Sequence, residues 1–385
     1  MVSSVYIHIP FCQQICHYCD FTKFFYREEM ADEYMEALEN EIASYIDHPK
    51  QKVKTIFVGG GTPTAINNQQ LKQLLEIIDT YFDVSSCEEY CFEANPGDLD
   101  ETKIKLLKDY GVSRISMGVQ VFDNQMLEEL GRLHRIEDVY KNVDALVQHG
   151  LTNISIDLIY ALPKQTLSHF ERTLKEALQF DLPHYSAYSL QIEPKTVFYQ
   201  RYKMGQLHKP QEEEEAAMFE LLREQMNKHG KQQYEISNFA VPGFESKHNL
   251  TYWNNDYYFG FGAGAHGYLP GKRIVNLRPF PAYVKQAMKD GRPVLHIEEI
   301  GKKEQMEEEM FLGLRKLQGV SKTTFQQKFG LEMENIYGEA ITFLTQKGWL
   351  EETTDRIKLT EEGSLFGNSV FQEFLLDDEE LKLTD

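Results

Sequence analysis

The chain has 385 residues, 60 Asp+Glu against 40 Lys+Arg, a formal charge of −20 and 42% hydrophobic residues. That is apolar material for one large domain or two ordinary ones, and the balance is neither that of a disordered nor that of a fibrous chain. A charge this negative repels phosphate backbones and anionic headgroups, which argues against non-specific nucleic-acid or lipid-surface binding by the whole protein.

The longest apolar stretches, such as Ile154 to Leu162 with Asp157 inside it, fall well short of the roughly 20 residues a membrane-spanning helix needs. From Met1 to Pro10 no basic region precedes an apolar block, so no signal peptide is read and the chain is expected to be cytoplasmic. Five cysteines, three of them within eight residues, do not form a disulfide framework for a chain this long.

In chain order, β-rich runs are predicted at Val5–Ile9, Thr55–Val58, Glu89–Ala94, Arg114–Val119, Asn153–Ile159 and Tyr185–Leu190. Stretches of helical period lie between them, as in Leu71, Leu74, Leu75 and Ile78, or Ile104, Leu107 and Tyr110. Six strand–helix units imply an α/β barrel, closed or partly open, over residues 1–232, with its site at the carboxyl ends of the strands. An open doubly wound sheet is the alternative. Glu212 to Glu215, followed by Met218, Leu221, Leu222 and Met226, reads as the acidic first turn of an amphipathic helix. Residues 233–300 are aromatic and Gly-rich and read as a connecting region packed against the barrel. Residues 301–385 turn helical, with Met310, Leu314 and Leu317 on one face. The run Trp349 to Glu352, followed by Arg356 to Thr360, reads as a hairpin, giving a winged-helix-like C-terminal domain. Its acidic excess favours a packing or partner module over a DNA reader.

Cys12, Cys16 and Cys19 form a C-x3-C-x2-C loop just after the first strand. Three thiolates so spaced suit three corners of a 4Fe-4S cube and leave the fourth iron open. The other readings are a zinc site using His17, which lacks a second ligand pair, and unrelated buried cysteines. Cys87 and Cys91 read as buried thiols, and His134, His149, His169 and His229 as surface residues. Gly262 to Gly267 spells G-x-G-x-x-G, but Tyr268-Leu269-Pro270-Gly271 follows instead of a helix, so it reads as a glycine-rich wall rather than a dinucleotide site.

The cysteine motif resembles that of the radical S-adenosylmethionine (SAM) superfamily, which implies a partial (β/α)6 barrel, a 4Fe-4S cluster on Cys12, Cys16 and Cys19, and SAM chelating the open iron. The same resemblance implies that an electron from the cluster cleaves SAM to a 5′-deoxyadenosyl radical. By residue-to-residue likeness Tyr18 lies near the adenine, Gly60, Gly61 and Thr62 of the Gly59-Gly60-Gly61-Thr62-Pro63 run meet the SAM amino group, and Glu93 meets the ribose. Tyr6, Gln120, Arg132 and Asp157 are implied as further cofactor contacts. Taken singly, Arg132 or Asp157 is as readily a salt-bridge or cap residue.

A narrower likeness runs through Tyr6 to Cys12, the Gly-Gly-Gly-Thr-Pro run, Glu93-Ala94-Asn95-Pro96, Gly118-Val119-Gln120 and Ile156 to Pro163. It is similar to the oxygen-independent coproporphyrinogen III oxidase group, which has an oxidase branch and a heme-chaperone branch. The oxidases carry a fourth cysteine where this chain has Phe21, and an extension ahead of the first strand. His248-Asn249-Leu250-Thr251-Tyr252-Trp253 matches the H-N-x-x-Y-W motif of the chaperones. The resemblance therefore implies heme delivery to acceptor proteins, with His248 as iron ligand and Tyr252 and Trp253 as flat porphyrin surface. The other reading packs those aromatics onto the barrel. His266 is a second, weaker candidate for heme contact. The resemblance leaves room for an electron donor such as flavodoxin or ferredoxin and for a homodimer, with no nucleic acid and no membrane segment. Oxidative decarboxylation of coproporphyrinogen III is the rival activity. RNA or cofactor modification is a third reading, opposed by the acidic charge.

Overall fold

The computed structural model describes residues 2–46 and 50–377. Six parallel strands, β1 (Ser4–Ile9), β2 (Thr55–Gly60), β3 (Glu89–Ala94), β4 (Arg114–Gln120), β5 (Ile154–Tyr160) and β6 (His184–Ser189), stand side by side in chain order. Helices α1 (Glu28–Tyr45), α2 (Asn68–Tyr81), α3 (Glu101–Asp109), α4 (Asn124–Glu129), α5 (Ile136–Gln148) and α6 (Leu167–Leu178) connect them. This is the expected α/β partial barrel.

Strand alternation divides the side chains. Val5, Ile7 and Ile9 are fully buried in the main core, while Ser4, Tyr6 and His8 occupy the other face of β1. In α2 the Asn67 side chain accepts from Gln70 N and the Gln70 side chain from Asn67 N, closing a capping box. Leu71, Leu74, Leu75 and Ile78 then fall on one buried face, each worth about 1.5–3 kcal/mol of burial. The acidic helix is α8 (Glu212–Lys228), reached after α7 (Val197–Lys203), and Met218, Leu222 and Met226 are its buried face.

Residues expected only to connect instead extend the sheet at both edges. Beside β6 lie β7 (Gln232–Gln233) and β8 (Asn238–Ala240). Beyond α9 (Lys247–Trp253), β9 (Tyr258–Phe261) pairs parallel with β1 and is followed outward by antiparallel β10 (His266–Leu269), β11 (Lys272–Asn276) and β12 (Val294–Glu299). The order of the 12-stranded sheet is β12-β11-β10-β9-β1-β2-β3-β4-β5-β6-β8-β7, with no pairing between its outer edges among the described residues. Gly and aromatic residues hid these strands because four to six residues between tight turns carry little periodicity. The Gly-rich turn after β9 is held by Glu41, whose carboxylate accepts from Gly262 N, Asn276 Nδ2 and the Tyr283 hydroxyl. A strand rather than a helix follows it.

A second core, from Met306 to Leu376, belongs to the C-terminal region. Helices Lys302–Gly313, Lys322–Phe329 and Met333–Gln346 precede the hairpin Leu350–Glu352 with Arg356–Leu359, the winged-helix-like arrangement. Met310 and Leu314 are buried, but Leu317 is 46% exposed because the helix ends at Gly313. Among the described residues no helix is long and apolar enough to cross a membrane.

Candidate cluster and cofactor site

The cysteine loop leaves β1 at its carboxyl end, and backbone bonds fix its course. Phe24 N donates to Pro10 O, Tyr26 N to Cys12 O at 2.9 Å, His17 N to Leu130 O at 2.9 Å and Phe198 N to His17 O at 3.0 Å. His17 Nδ1 also bonds Glu129 O at 2.8 Å, tying the loop to α4. Cys12 is buried, and Cys16 and Cys19 are half-buried. Burial pushes the Cys12 thiol up to about 12, opposed by the Thr62 hydroxyl, which donates to its sulfur at 3.8 Å. Burial likewise raises Cys19, opposed by Lys23. Arg132 Nη1 donates to Cys16 Sγ at 3.5 Å. Three soft donors on one anchored loop, each charged neighbour sensed by the others, fit an iron–sulfur cluster by their chemistry. As they stand, no three described side chains are drawn into metal-holding proximity.

The glycine run ending β2 is demanded by its surroundings. A Cβ on Gly59 would meet the Glu93 carboxyl at 2.8 Å, one on Gly60 the His8 ring at 2.4 Å, and one on Gly61 the backbone of Pro10 and Phe11 at 2.8 Å. Gly60 also has φ +116°, a conformation L side chains rarely adopt. Its N–H donates to Glu93 Oε2 at 2.9 Å. Burial lifts the Glu93 carboxyl to about 7, with Asp157 adding to the rise. Asp157 accepts from Ser116 Oγ at 3.0 and 3.1 Å and from Ser155 Oγ at 3.4 Å, and burial raises it too.

Asn95 links two halves of the rim, donating to Thr62 Oγ1 at 2.8 Å and accepting from Arg132 Nη2 at 2.6 Å. Arg132 Nη2 also bonds Gly118 O. Gln120 closes β4 with φ +72°, a strained position for a non-glycine residue, and a Cβ on Gly118 would strike its amide at 2.9 Å. Tyr18 is half-buried beside Phe198, ring centroids 6.4 Å apart. Tyr6 bonds His8 Nδ1 at 2.8 Å, and His8 Nε2 bonds Thr22 O at 2.8 Å. The carbonyl accepts, so Nε2 carries the proton and the tyrosine donates to Nδ1. Asn95, Ser116 and His8 received no role from the sequence. For Asn95 and His8 the motifs that hold them were the available signal.

His248 is a different matter. It lies 1% exposed at the opposite, amino-terminal end of the strands. Nδ1 bonds Thr55 Oγ1 at 2.8 Å, Nε2 bonds the Tyr252 hydroxyl at 2.8 Å, and the ring stacks on Phe57 at 5.1 Å. Burial lowers its pKa to about 3. Tyr252 packs edge-on to Tyr258, and half-buried Trp253 has Arg315 over its ring. In this conformation neither ring nitrogen of His248, the expected heme ligand, is free, since Thr55 and Tyr252 occupy both. Glu89 receives the start of α9, accepting from Ser246 Oγ, Lys247 N and His248 N, and faces the buried Arg114 at 3.6 Å. His134 is likewise buried rather than on the surface, with Nε2 bonded to Val119 O at 3.2 Å. Cys91 is buried and Cys87 half-buried.

Residues 6–177 match the Radical SAM superfamily and residues 300–366 the HemN C-terminal domain. The heme chaperone HemW of Bacillus subtilis is 48% identical across 97% of this chain and 99% of its own length. The chain belongs to the HemW family. HemW of Lactococcus lactis is 46% identical over 98% of both chains, and HemW of Escherichia coli 32% over 97% of this chain and 98% of its own. In fold, the coproporphyrinogen III oxidase HemN of Escherichia coli superposes with a TM-score of 0.84 over 97% of this chain and 90% of that one, at 22% identity. That likeness establishes the shared barrel and C-terminal architecture alone. Membership of the radical SAM superfamily brings a 4Fe-4S cluster and SAM as the family's cofactors.

Proposed function

We propose that this protein binds heme and passes it to acceptor proteins, with a 4Fe-4S cluster on Cys12, Cys16 and Cys19 and SAM at the carboxyl rim. The observation that carries the reading is near end-to-end similarity to HemW chaperones together with Phe21, 64% exposed, where the oxidase pattern has a fourth cysteine. The cluster supplies an electron for reductive SAM cleavage when bound. Arg132 places positive charge against Cys16, offsetting the repulsion of gathered thiolates. Glu93, poised near neutrality by burial, holds Gly60 N–H and offers its other oxygen to a ligand hydroxyl. Thr62 and Asn95 lock the cysteine loop to β3 and β4. An electron donor such as flavodoxin or ferredoxin, a homodimer and a cytoplasmic setting belong to the same proposal, as does the division at residues 1–232, 233–300 and 301–385.

The test is anaerobic incubation of reconstituted protein with SAM, a reductant and coproporphyrinogen III, alongside hemin titration. The expected result is 5′-deoxyadenosine, an unchanged porphyrinogen and stoichiometric heme uptake. Loss of two carboxylates as CO2 would make the protein an oxidase.

A further inference from the structure

Heme needs an axial ligand, and three histidines here cannot provide one without breaking a hydrogen bond. Both ring nitrogens of His8, His184 and His248 are engaged. His17, His134, His149, His169 and His229 each have one bonded to their own surroundings and keep the other nitrogen unbonded. Among the described residues the rings of His208, His266 and His296 alone form no hydrogen bond. His208 stands by itself in an exposed loop. The other two belong together: Val275 on β11 pairs with His266 on one side and His296 on the other, so both project from one sheet face about 10 Å apart across Val275.

That face continues toward the cofactor rim. Tyr6 pairs with Gly260, and a Cβ on Gly260 would strike the His266 carbonyl at 1.9 Å. Gly260 therefore leaves a flat, side-chain-free step between Tyr6 and His266. Gly264, two residues before His266, lies against Thr22 of the cysteine loop, where a Cβ would fall 2.4 Å from Thr22 Oγ1 and 3.2 Å from Arg278 Cγ. Arg278 is exposed, acts electrostatically on His266 and has no carboxylate partner among the described residues. In a chain of charge −20, an unpaired guanidinium acting on a free imidazole, beside the step left by Gly260, is a matched set for an iron porphyrin: nitrogen for iron, cation for propionate, flat surface for the ring.

We propose, resting on the chaperone reading above, that heme docks on the β9–β11 rim with His266 on its iron and Arg278 paired with a propionate, while His248 only secures the floor. Partial desolvation of the exposed ring, with Arg278 and Arg273 nearby, lowers the His266 pKa, which keeps its imidazole neutral and able to ligate.

The experiment is hemin titration of the full-length protein followed by absorption and electron paramagnetic resonance, comparing wild type with H266A, H266A/H296A, R278Q and H208A. The exposed side chains make these substitutions mild, and retained 5′-deoxyadenosine formation reports an intact barrel. Expected are loss of the imidazole-ligated spectrum in H266A, with about tenfold weaker heme binding there, a smaller weakening in R278Q, and no change in H208A. Iron-free protoporphyrin IX should bind equally to wild type and H266A. A wild-type heme spectrum in the double variant would overturn the inference and leave the chaperone reading standing. Wild-type protein that takes up no heme would overturn both.

Discussion

The two ends of one sheet are built on opposite terms. At the amino-terminal floor, Glu89, Arg114, Thr55 and His248 are joined by hydrogen bonds and an ion pair under the start of α9, with Arg114 Nη2 left without a partner. At the carboxyl rim, burial holds the Glu93 carboxyl near a neutral pKa and pushes Cys12 far above the ordinary thiol range, while the cysteine loop is tied by its backbone and its sulfur atoms take only weak hydrogen bonds from Thr62 and Arg132. Both ends are polar and buried, so polarity alone does not mark function. The distinguishing property is how far the groups satisfy one another.

That contrast can be broken from either end. The largest effect is expected at the rim. Replacing Cys12, Cys16 or Cys19 by Ala should abolish both cluster absorbance and 5′-deoxyadenosine formation while leaving thermal unfolding of the apoprotein within a few degrees of wild type; measurable SAM cleavage in any of the three would remove that residue from the ligand set. The floor should respond in stability instead. Arg114→Met removes the buried cation facing the Glu89 carboxylate, which keeps its three hydrogen bonds from α9, and should cost about 3 kcal/mol in denaturant unfolding. An unchanged midpoint would show the pair to be dispensable.

His248→Ala sharpens the comparison. It removes a stacked ring and leaves Thr55 and Tyr252 without a partner, so a loss of about 2–3 kcal/mol is expected with the heme spectrum unchanged. A changed iron ligation would return this residue to the heme site. The smallest effect concerns pH. The folded-state pKa of Glu93, about 7, lies above its ordinary 4.5, so between those values the folded protein holds more proton than the unfolded chain and stability falls as pH rises. Glu93→Gln should flatten unfolding free energy over that window by about 1 kcal/mol per pH unit. An identical slope in the variant would assign the dependence to Glu41, also raised to about 7.

The strands and helices of the barrel were legible in the sequence because they are long and their apolar periods are strong, as in β1 and α2. So was the cysteine loop, since three sulfur donors within eight residues suit an iron–sulfur cluster and little else. The edge strands β9 to β12 were not, because short aromatic and glycine segments look alike whether they connect or pair. His248 was read through its motif as a ligand, while neighbours nearly 200 residues away, Thr55 and Phe57, occupy its nitrogen and its ring face.

Local composition and period therefore determined which segments become strands, where three cysteines share one loop and what family the chain resembles, since these depend on neighbours within a turn or a strand. Which polar groups are spent on one another, and which histidines keep a free nitrogen, was decided only when the sheet brought distant segments within hydrogen-bonding distance, because a hydrogen bond is a property of two groups and the sequence places only one of them at a time.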